Sequence, residues 1–193
     1  MTENAHSNPA GSGFHVILAD PPWDYRVWNS PDGARTANSQ YPTLPTEEIA
    51  RLPVRFQFPD SNHCVLFLWA TPPKLHDALH VMERWGFEYK TVAFTWIKTT
   101  RTGPPSARKP SIGLGHYTRS NAELLLLGTW GSPPPVKDRS VSSVITAPRM
   151  RHSQKPIEQY ELISRLYDGP YIELFARPAL LRPQHWATWG DEV

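Results

Sequence analysis

Five short apolar runs constrain the fold of this chain more than any other feature. They span 14–19, 63–69, 89–98, 123–128 and 171–175. Runs of this length, rich in Val, Ile, Leu and aromatic residues, read as buried strands. Between them, 46–52 reads as a short helix with Thr46 as its N-cap. Residues 72–85 read as a helix capped by Thr71, with Gly86 after its end, and 155–167 as an amphipathic helix with Pro156 in its first turn and Gly169 beyond. Strands alternating with helices in this rhythm predict a mostly parallel sheet with helices on both faces. Three stretches interrupt the rhythm, 24–45, 99–118 and 129–152, and read as long loops, which in a compact domain are usually functional or disordered.

At 193 residues the chain is long enough for one domain with a substantial core. We expect that domain to cover 14–193, after a polar, disordered lead over 1–13. The lone cysteine, Cys64, excludes an internal disulfide framework and fits a reducing compartment. No stretch approaches the roughly 18 apolar residues of a membrane span, and the N-terminus has no apolar signal-peptide core. The expected location is cytoplasmic, nucleoid-associated in a bacterial or phage setting. Net charge is only +2, but it is unevenly spread. Residues 89–157 carry 11 Lys/Arg against 2 Asp/Glu, and both flanking thirds are acidic. A basic block of that size predicts a surface that faces a polyanion.

The first strand run leads directly into Asp20-Pro21-Pro22-Trp23. In open α/β sheets, ligands bind beyond the C-terminal ends of the strands. Two prolines stiffen the loop, because each fixes φ and neither has an N–H. An aromatic amine such as adenine's 6-amino group is a poor nucleophile, since its lone pair is delocalised into the ring. The Asp20 carboxylate and the Pro21 carbonyl can accept its two N–H bonds and stabilise the positive charge that grows as nitrogen attacks. Trp23 is expected to stack on the base. This chemistry requires an activated methyl donor and no metal.

Other motifs carry less. His76 and His80 have the i, i+4 spacing of metal ligands, but no third ligand accompanies them and Asp77 stands where a metalloprotease has Glu. Gly113-Leu-Gly115 lacks the rest of a dinucleotide fingerprint and reads as a loop element. Trp69, Trp85 and Trp96 read as core.

The motifs together resemble the MT-A70 family of S-adenosylmethionine-dependent adenine-N6 methyltransferases. The carrying segments are Asp20 to Trp23, Tyr41-Pro-Thr-Leu, Leu66 to Thr71, Trp96-Ile-Lys98-Thr, Gly113 to Tyr117, Asn121 to Gly128, His152 to Pro156 and Ile172 to Pro178. The resemblance covers about Val16 to Gly190 and implies a Rossmann-like methyltransferase of permuted order, with the catalytic loop before the cofactor half. It implies S-adenosylmethionine as cofactor, held by Asp20, Lys155, Arg177 and the segment Asp191-Glu192, and no metal. It places Tyr41, Glu123 and Lys155 at the target adenine.

The residues themselves leave alternatives beside these roles. Lys155 at a helix start opposes the macrodipole, which points to function, although a solvated lysine is also consistent. Glu123, the only acid between Glu88 and Asp138, can instead pair with a nearby Arg, and Arg177 with Glu173. Some family members carry His and Asn after the Arg-Pro pair, where this chain has Ala179 and Leu180. Asp191-Glu192 replaces a common Asn-Gln.

The expected substrate is nucleic acid, with DNA favoured over RNA because the chain is compact and carries no appended RNA-binding module. The three long loops would form the target channel. Arg101, Arg108, Lys109, Arg119, Arg139, Arg149 and Arg151 are candidate phosphate contacts. A monomer or homodimer is expected, with a partner subunit possible. Competing readings are the same chemistry on RNA, a catalytically silent nucleic-acid-binding subunit, and methylation of a small-molecule amine.

Overall fold

The structure, a computed structural model, describes residues 13–24, 42–57, 63–113, 115, 117–149, 154–176 and 182–190. The expected lead over 1–13 therefore lies outside the described residues, apart from Gly13. One sheet contains β1 (Val16–Ala19), β2 (His63–Ala70), β3 (Glu88–Thr99), β4 (Ala122–Gly131), β5 (Val144–Pro148), β6 (Tyr171–Leu174) and β7 (Trp186–Trp189). Their spatial order is β5-β3-β4-β2-β1-β6-β7. All run parallel except β4, which is antiparallel to both β2 and β3.

Helices cover both faces, as the alternation predicts. The short helices α1 (Thr46–Arg51) and α2 (Val54–Gln57) join α3 (Leu75–Arg84) on one face through Ile49, Ala50, Val54, Ala78, Val81 and Met82. The other face is covered by α4 (Glu158–Leu166), through Tyr160 and Ile163. Strand parity divides the side chains between the two cores. In β2, Cys64, Leu66, Leu68 and Ala70 join the α3 core, while Val65, Phe67 and Trp69 join the α4 core. Leu66, Phe67 and Leu68 have no exposed surface, and full burial of each contributes about 1.5–3 kcal/mol. That apolar density on both faces makes β1 and β2 read as continuous hydrophobic runs.

Several boundaries differ from the sequence expectation. The 129–152 stretch contains β5, and a further strand, β7, follows β6. Both are edge strands at opposite ends of the sheet. β5 buries only Ile145 and Ala147, and β7 only Trp186, so neither presents an unbroken apolar run. α2 is a single turn and left no periodic signal. Thr46 is the first residue of α1 rather than its N-cap; Pro45 holds the capping position and its side chain makes no capping hydrogen bond. Thr71 precedes a 3-10 turn over Pro72–Lys74 and likewise caps nothing with its side chain. Pro72 and Pro73 favour the tight turn, and α3 begins only at Leu75. Gly86, at φ +84°, ends that helix as expected.

Trp85 ties the α1 and α3 layer together. Its indole N–H donates to the Ile49 carbonyl at 3.0 Å, and its ring stacks on Phe175 at 6.4 Å. Replacing Trp85 with Phe removes that hydrogen bond and part of the ring's packing, while the Ile49 carbonyl keeps the Leu52 N–H at 3.2 Å. We expect a loss of about 1–3 kcal/mol in urea unfolding, with the denaturant slope unchanged; a variant as stable as the wild type contradicts this role.

Candidate active site

The antiparallel strand determines which residues meet. β1, β2 and β3 end at one edge of the sheet, and β4 begins there. Asp20 follows β1, Trp69 lies near the end of β2, Lys98 near the end of β3 and Glu123 near the start of β4. Parity puts all four on the α4 face. Asp20 is two residues beyond Leu18, Glu123 two before Leu125 and Lys98 two after Trp96, and each of these neighbours belongs to the α4 core. Lys155 reaches the same point from the segment leading into α4.

These side chains form a row of alternating charge. The Lys155 ammonium donates to both Asp20 carboxylate oxygens, at 2.6 and 2.7 Å. It lies 3.4 Å from Glu123 Oε2 and 5.6 Å from the centre of the Trp69 ring. Lys98 bonds the other Glu123 oxygen, Oε1, and lies 5.1 Å from the Trp96 ring centre. Asp20, Lys155 and Glu123 side chains are only 17, 11 and 12% exposed, so water screens these pairs weakly. Burial pushes the Glu123 carboxyl upward, but the Lys155 and Lys98 ammoniums outweigh it and hold the group below its ordinary value. Glu123 thus pairs with two lysines rather than with an Arg.

Lys155 lies ahead of α4, which begins at Glu158. It is outside the first helical turn, so the macrodipole argument does not apply; two carboxylates hold it instead. Its floor is also fixed, because the Trp69 indole N–H donates to Gln159 Oε1 on α4 at 2.7 Å.

The Asp20 to Trp23 loop is held rigidly. The Trp23 N–H donates to the Pro21 carbonyl at 2.8 Å, and the Leu44 N–H to the Pro22 carbonyl at 2.9 Å. Trp23 is 4% exposed, and its indole N–H donates to the Trp69 carbonyl at 3.0 Å. The expectation that Trp23 offers a stacking face is therefore not met: the ring is a buried peg that locks the loop onto β2. Trp69, Trp85 and Trp96 are buried, as core residues.

A second buried cluster lies beside the first on β6. Glu173 accepts from Tyr160 Oη at 2.9 Å and from Arg182 Nε at 2.5 Å. Burial raises its carboxyl, against the opposing pull of Arg182 and the Tyr160 hydroxyl. Glu173 therefore already holds one guanidinium, which weakens the alternative that it pairs with Arg177. Arg177 itself lies outside the described residues, as do Tyr41, Arg151, Asp191 and Glu192.

The basic candidates divide between the two edges of the sheet. The 99–118 loop joins the end of β3 to the start of β4, so Arg101, Arg108 and Lys109 lie at the site's edge, as does Arg149 just past β5. Arg119, exposed, lies on the approach to β4 at the same edge. Residues 132–143 do not. Because β4 runs backwards, it delivers that segment to the far edge, where Lys137 N–H bonds Leu166 O at 2.9 Å and Asp138 pairs with Arg165. Arg139 is exposed there, and this part of the 129–152 stretch cannot line a channel at Asp20. Gly113 and Gly115 shape the near-edge loop: a Cβ would come within 2.1 Å of the Ser120 carbonyl oxygen and 2.0 Å of the Thr118 one. His80 pairs with Glu47 of α1 at 3.1 Å.

Comparison with known proteins gives consistent matches. The family model described as MT-A70 matches residues 14–192. The chain is 33% identical over 197 residues to the "Type II methyltransferase M.MunI" of Mycoplasma sp, covering 93% of this chain and 78% of that protein. It is 31% identical over 187 residues to the "N(6)-adenosine-methyltransferase catalytic subunit METTL3" of Homo sapiens, covering 93% of this chain but 28% of that protein. A Drosophila melanogaster "N(6)-adenosine-methyltransferase MT-A70-like protein" is 30% identical over 187 residues, with 27% of its length covered.

The charge row predicts a specific pH response. Removing one partner of such a pair costs about 3 kcal/mol, so Glu123→Gln should lower urea stability by that order at pH 7. A depressed carboxyl stabilises the fold fully above its unfolded value and loses that contribution as pH falls through the folded one. The gap between wild type and variant should therefore close below pH 4.5, the ordinary value for this group. A gap that persists into acid contradicts the assignment.

Proposed function

The chain belongs to the MT-A70 family, and on that premise we propose that it transfers a methyl group from S-adenosylmethionine to the 6-amino group of adenine in DNA. Support for methyl transfer is the pairing of Asp20 with Lys155 at the C-terminal edge of the sheet. A carboxylate and an ammonium 2.6 Å apart mirror the charges of a zwitterionic amino-acid end. That donor set fits the cofactor: Asp20 would receive its ammonium and Lys155 its carboxylate. Arg177 would hold the ribose, and Asp191-Glu192 the adenosine end. The sulfonium, when bound, supplies an electrophilic methyl group.

The chain's own residues supply acceptors and rigidity. Asp20 accepts one N–H of the target amine and the Pro21 carbonyl the other, through the lone pair not used by Trp23. Both acceptors sit where positive charge grows on nitrogen. The buried Trp23 peg keeps them from relaxing, so little reorganisation accompanies the step. Once methylated, the target nitrogen would be strongly acidic, and Asp20 would lie on the path by which its proton leaves to water. Glu123 would line the adenine pocket, and the family resemblance assigns Tyr41 the same role. The adenine must be unstacked or single-stranded to reach this edge.

DNA is favoured because the chain matches the type II methyltransferase over most of both lengths, and the adenosine methyltransferases over only part of theirs. The second reading, RNA, is favoured by those adenosine methyltransferases. Matched DNA and RNA oligonucleotides with labelled cofactor separate the two: incorporation should be faster into DNA, and faster incorporation into RNA reverses the assignment. Asp20→Asn keeps the loop's shape but removes the anionic acceptor. We expect kcat to fall about 100- to 1000-fold, the scale for losing one group aimed at developing charge. Turnover equal to the wild type refutes the role.

A further inference from the structure

A second concavity opens beyond the charge row, one residue past Lys98. It has a volume of about 320 Å³ and is lined by Thr99, Thr100, Arg101, Ser111 and Arg149. Three backbone segments are tied together around it. The Arg149 N–H donates to the Thr99 carbonyl at 3.1 Å, the Ser111 N–H to the Lys98 carbonyl at 2.6 Å and the Thr100 N–H to the Lys109 carbonyl at 3.0 Å. The Arg101 Nε–H donates to the Arg149 carbonyl at 2.7 Å, which fixes the guanidinium while leaving its terminal nitrogens for a ligand.

The lining residues are two arginines and three hydroxyl-bearing residues, with no acid among them. Among the described residues, neither arginine pairs with a carboxylate. Thr99 is buried, and its hydroxyl has no hydrogen-bond partner among the described residues. Two like charges held together without a counterion favour an anion between them, and guanidiniums suit the oxygens of a phosphate. Position narrows the choice. β3 lies three strands from β1, about 14 Å at the usual strand spacing. That is too far for the base held at Asp20, and a suitable reach for the sugar-phosphate chain leading away from it.

We propose that this cavity is a phosphate subsite that takes a phosphodiester flanking the target adenine. The proposal rests on the reading of the chain as a nucleic-acid methyltransferase and adds the place where the strand is gripped. Arg101 and Arg149 would set the register of the strand along β3, independent of base sequence.

Fluorescence anisotropy of a target-containing DNA oligonucleotide, titrated across salt, tests it. Wild type, Arg101→Gln, Arg149→Gln and the far-edge control Lys90→Gln are compared. Each arginine variant should bind several-fold more weakly and lower the salt slope by about 0.7–0.9, the contribution of one phosphate. Lys90→Gln should leave the slope unchanged. A scan of single neutral methylphosphonates in the oligonucleotide, read with wild-type protein and with Arg101→Gln, should find one flanking position that reproduces the loss in the wild type and adds nothing further in the variant.

Unchanged slopes with no coupled position overturn the subsite. So does a cavity that takes inorganic phosphate, read from the Arg101 and Arg149 side-chain NMR signals, while oligonucleotide slopes stay the same. That result assigns a free-anion site instead. A wild type that neither binds nor methylates any oligonucleotide refutes the parent reading, and is distinct from binding that ignores the two arginines.

Discussion

β4 runs against the strands on either side of it, and that reversal brings its first residues to the edge where β1, β2 and β3 end. A parallel strand of the same ten residues would carry Glu123 to the opposite edge, about 30 Å away at 3.3 Å per residue. Lys98 and Lys155 would then face each other with Asp20 as their sole carboxylate. Parity completes the arrangement. Register pairs Trp96 with Glu123, so the carboxylate lies beside an indole of the α4 core and diagonal to Lys98. A slip of one residue in β4 would send Glu123 to the α3 face and dismantle the row. The run Leu124 to Leu127 fits either core and would tolerate that slip, but Gly128 resists it, because a Cβ at its position would come within 2.6 Å of Met82 Sδ.

Much of this was legible in the sequence, and the reasons differ from element to element. The central strands announce themselves because burial on both faces demands continuous apolar runs. Asp20 was legible for the same reason, since it follows the first such run and thus stands at a ligand-binding edge. The edge strands were not legible: Val144–Pro148 and Trp186–Trp189 are half exposed and lack the run. Strand direction was not legible either. Glu123 was singled out as a lone acid in a basic block, but nothing local says that β4 is reversed. That one fact decides that Glu123 joins Lys155 and that Arg139 does not. Lys98 was overlooked as a site residue because a lysine ending an aromatic strand looks like a solvated tip until its partner strand is known. Trp23 was misread for a related reason. An indole beside a ligand edge suits stacking, and only the long-range bond to the Trp69 carbonyl shows that it faces inward.

The neighbouring cluster on β6 repeats the same principle with different groups. Glu173 is in register with Leu18 of β1, and the Asp20 charge adds to the burial that raises its carboxyl. Two acids on adjacent strands would repel one another across the edge, and each is matched by its own cation, Lys155 or Arg182. Tyr160 of α4 accompanies Arg182 at Glu173, much as Gln159, one residue earlier, fixes Trp69 beneath Lys155. The start of α4 therefore orients both clusters at once.

The charge row also explains how Asp20 can take a new partner without leaving a cation stranded. An acid this buried needs a counterion, and Lys155 meets that need at 2.6 Å. An incoming ammonium or amine at Asp20 competes directly with Lys155. If Lys155 had no second anion, releasing Asp20 would leave a buried unpaired ammonium, which is costly in a site with little water. Glu123 already stands 3.4 Å away on the other side, itself kept ionised by Lys98. Lys155 can shift its bond from one carboxylate to the other over a short distance, across the fixed face of Trp69. Charge balance is then retained on both sides of the exchange. A minus-plus-minus-plus row has this property, and a single ion pair does not.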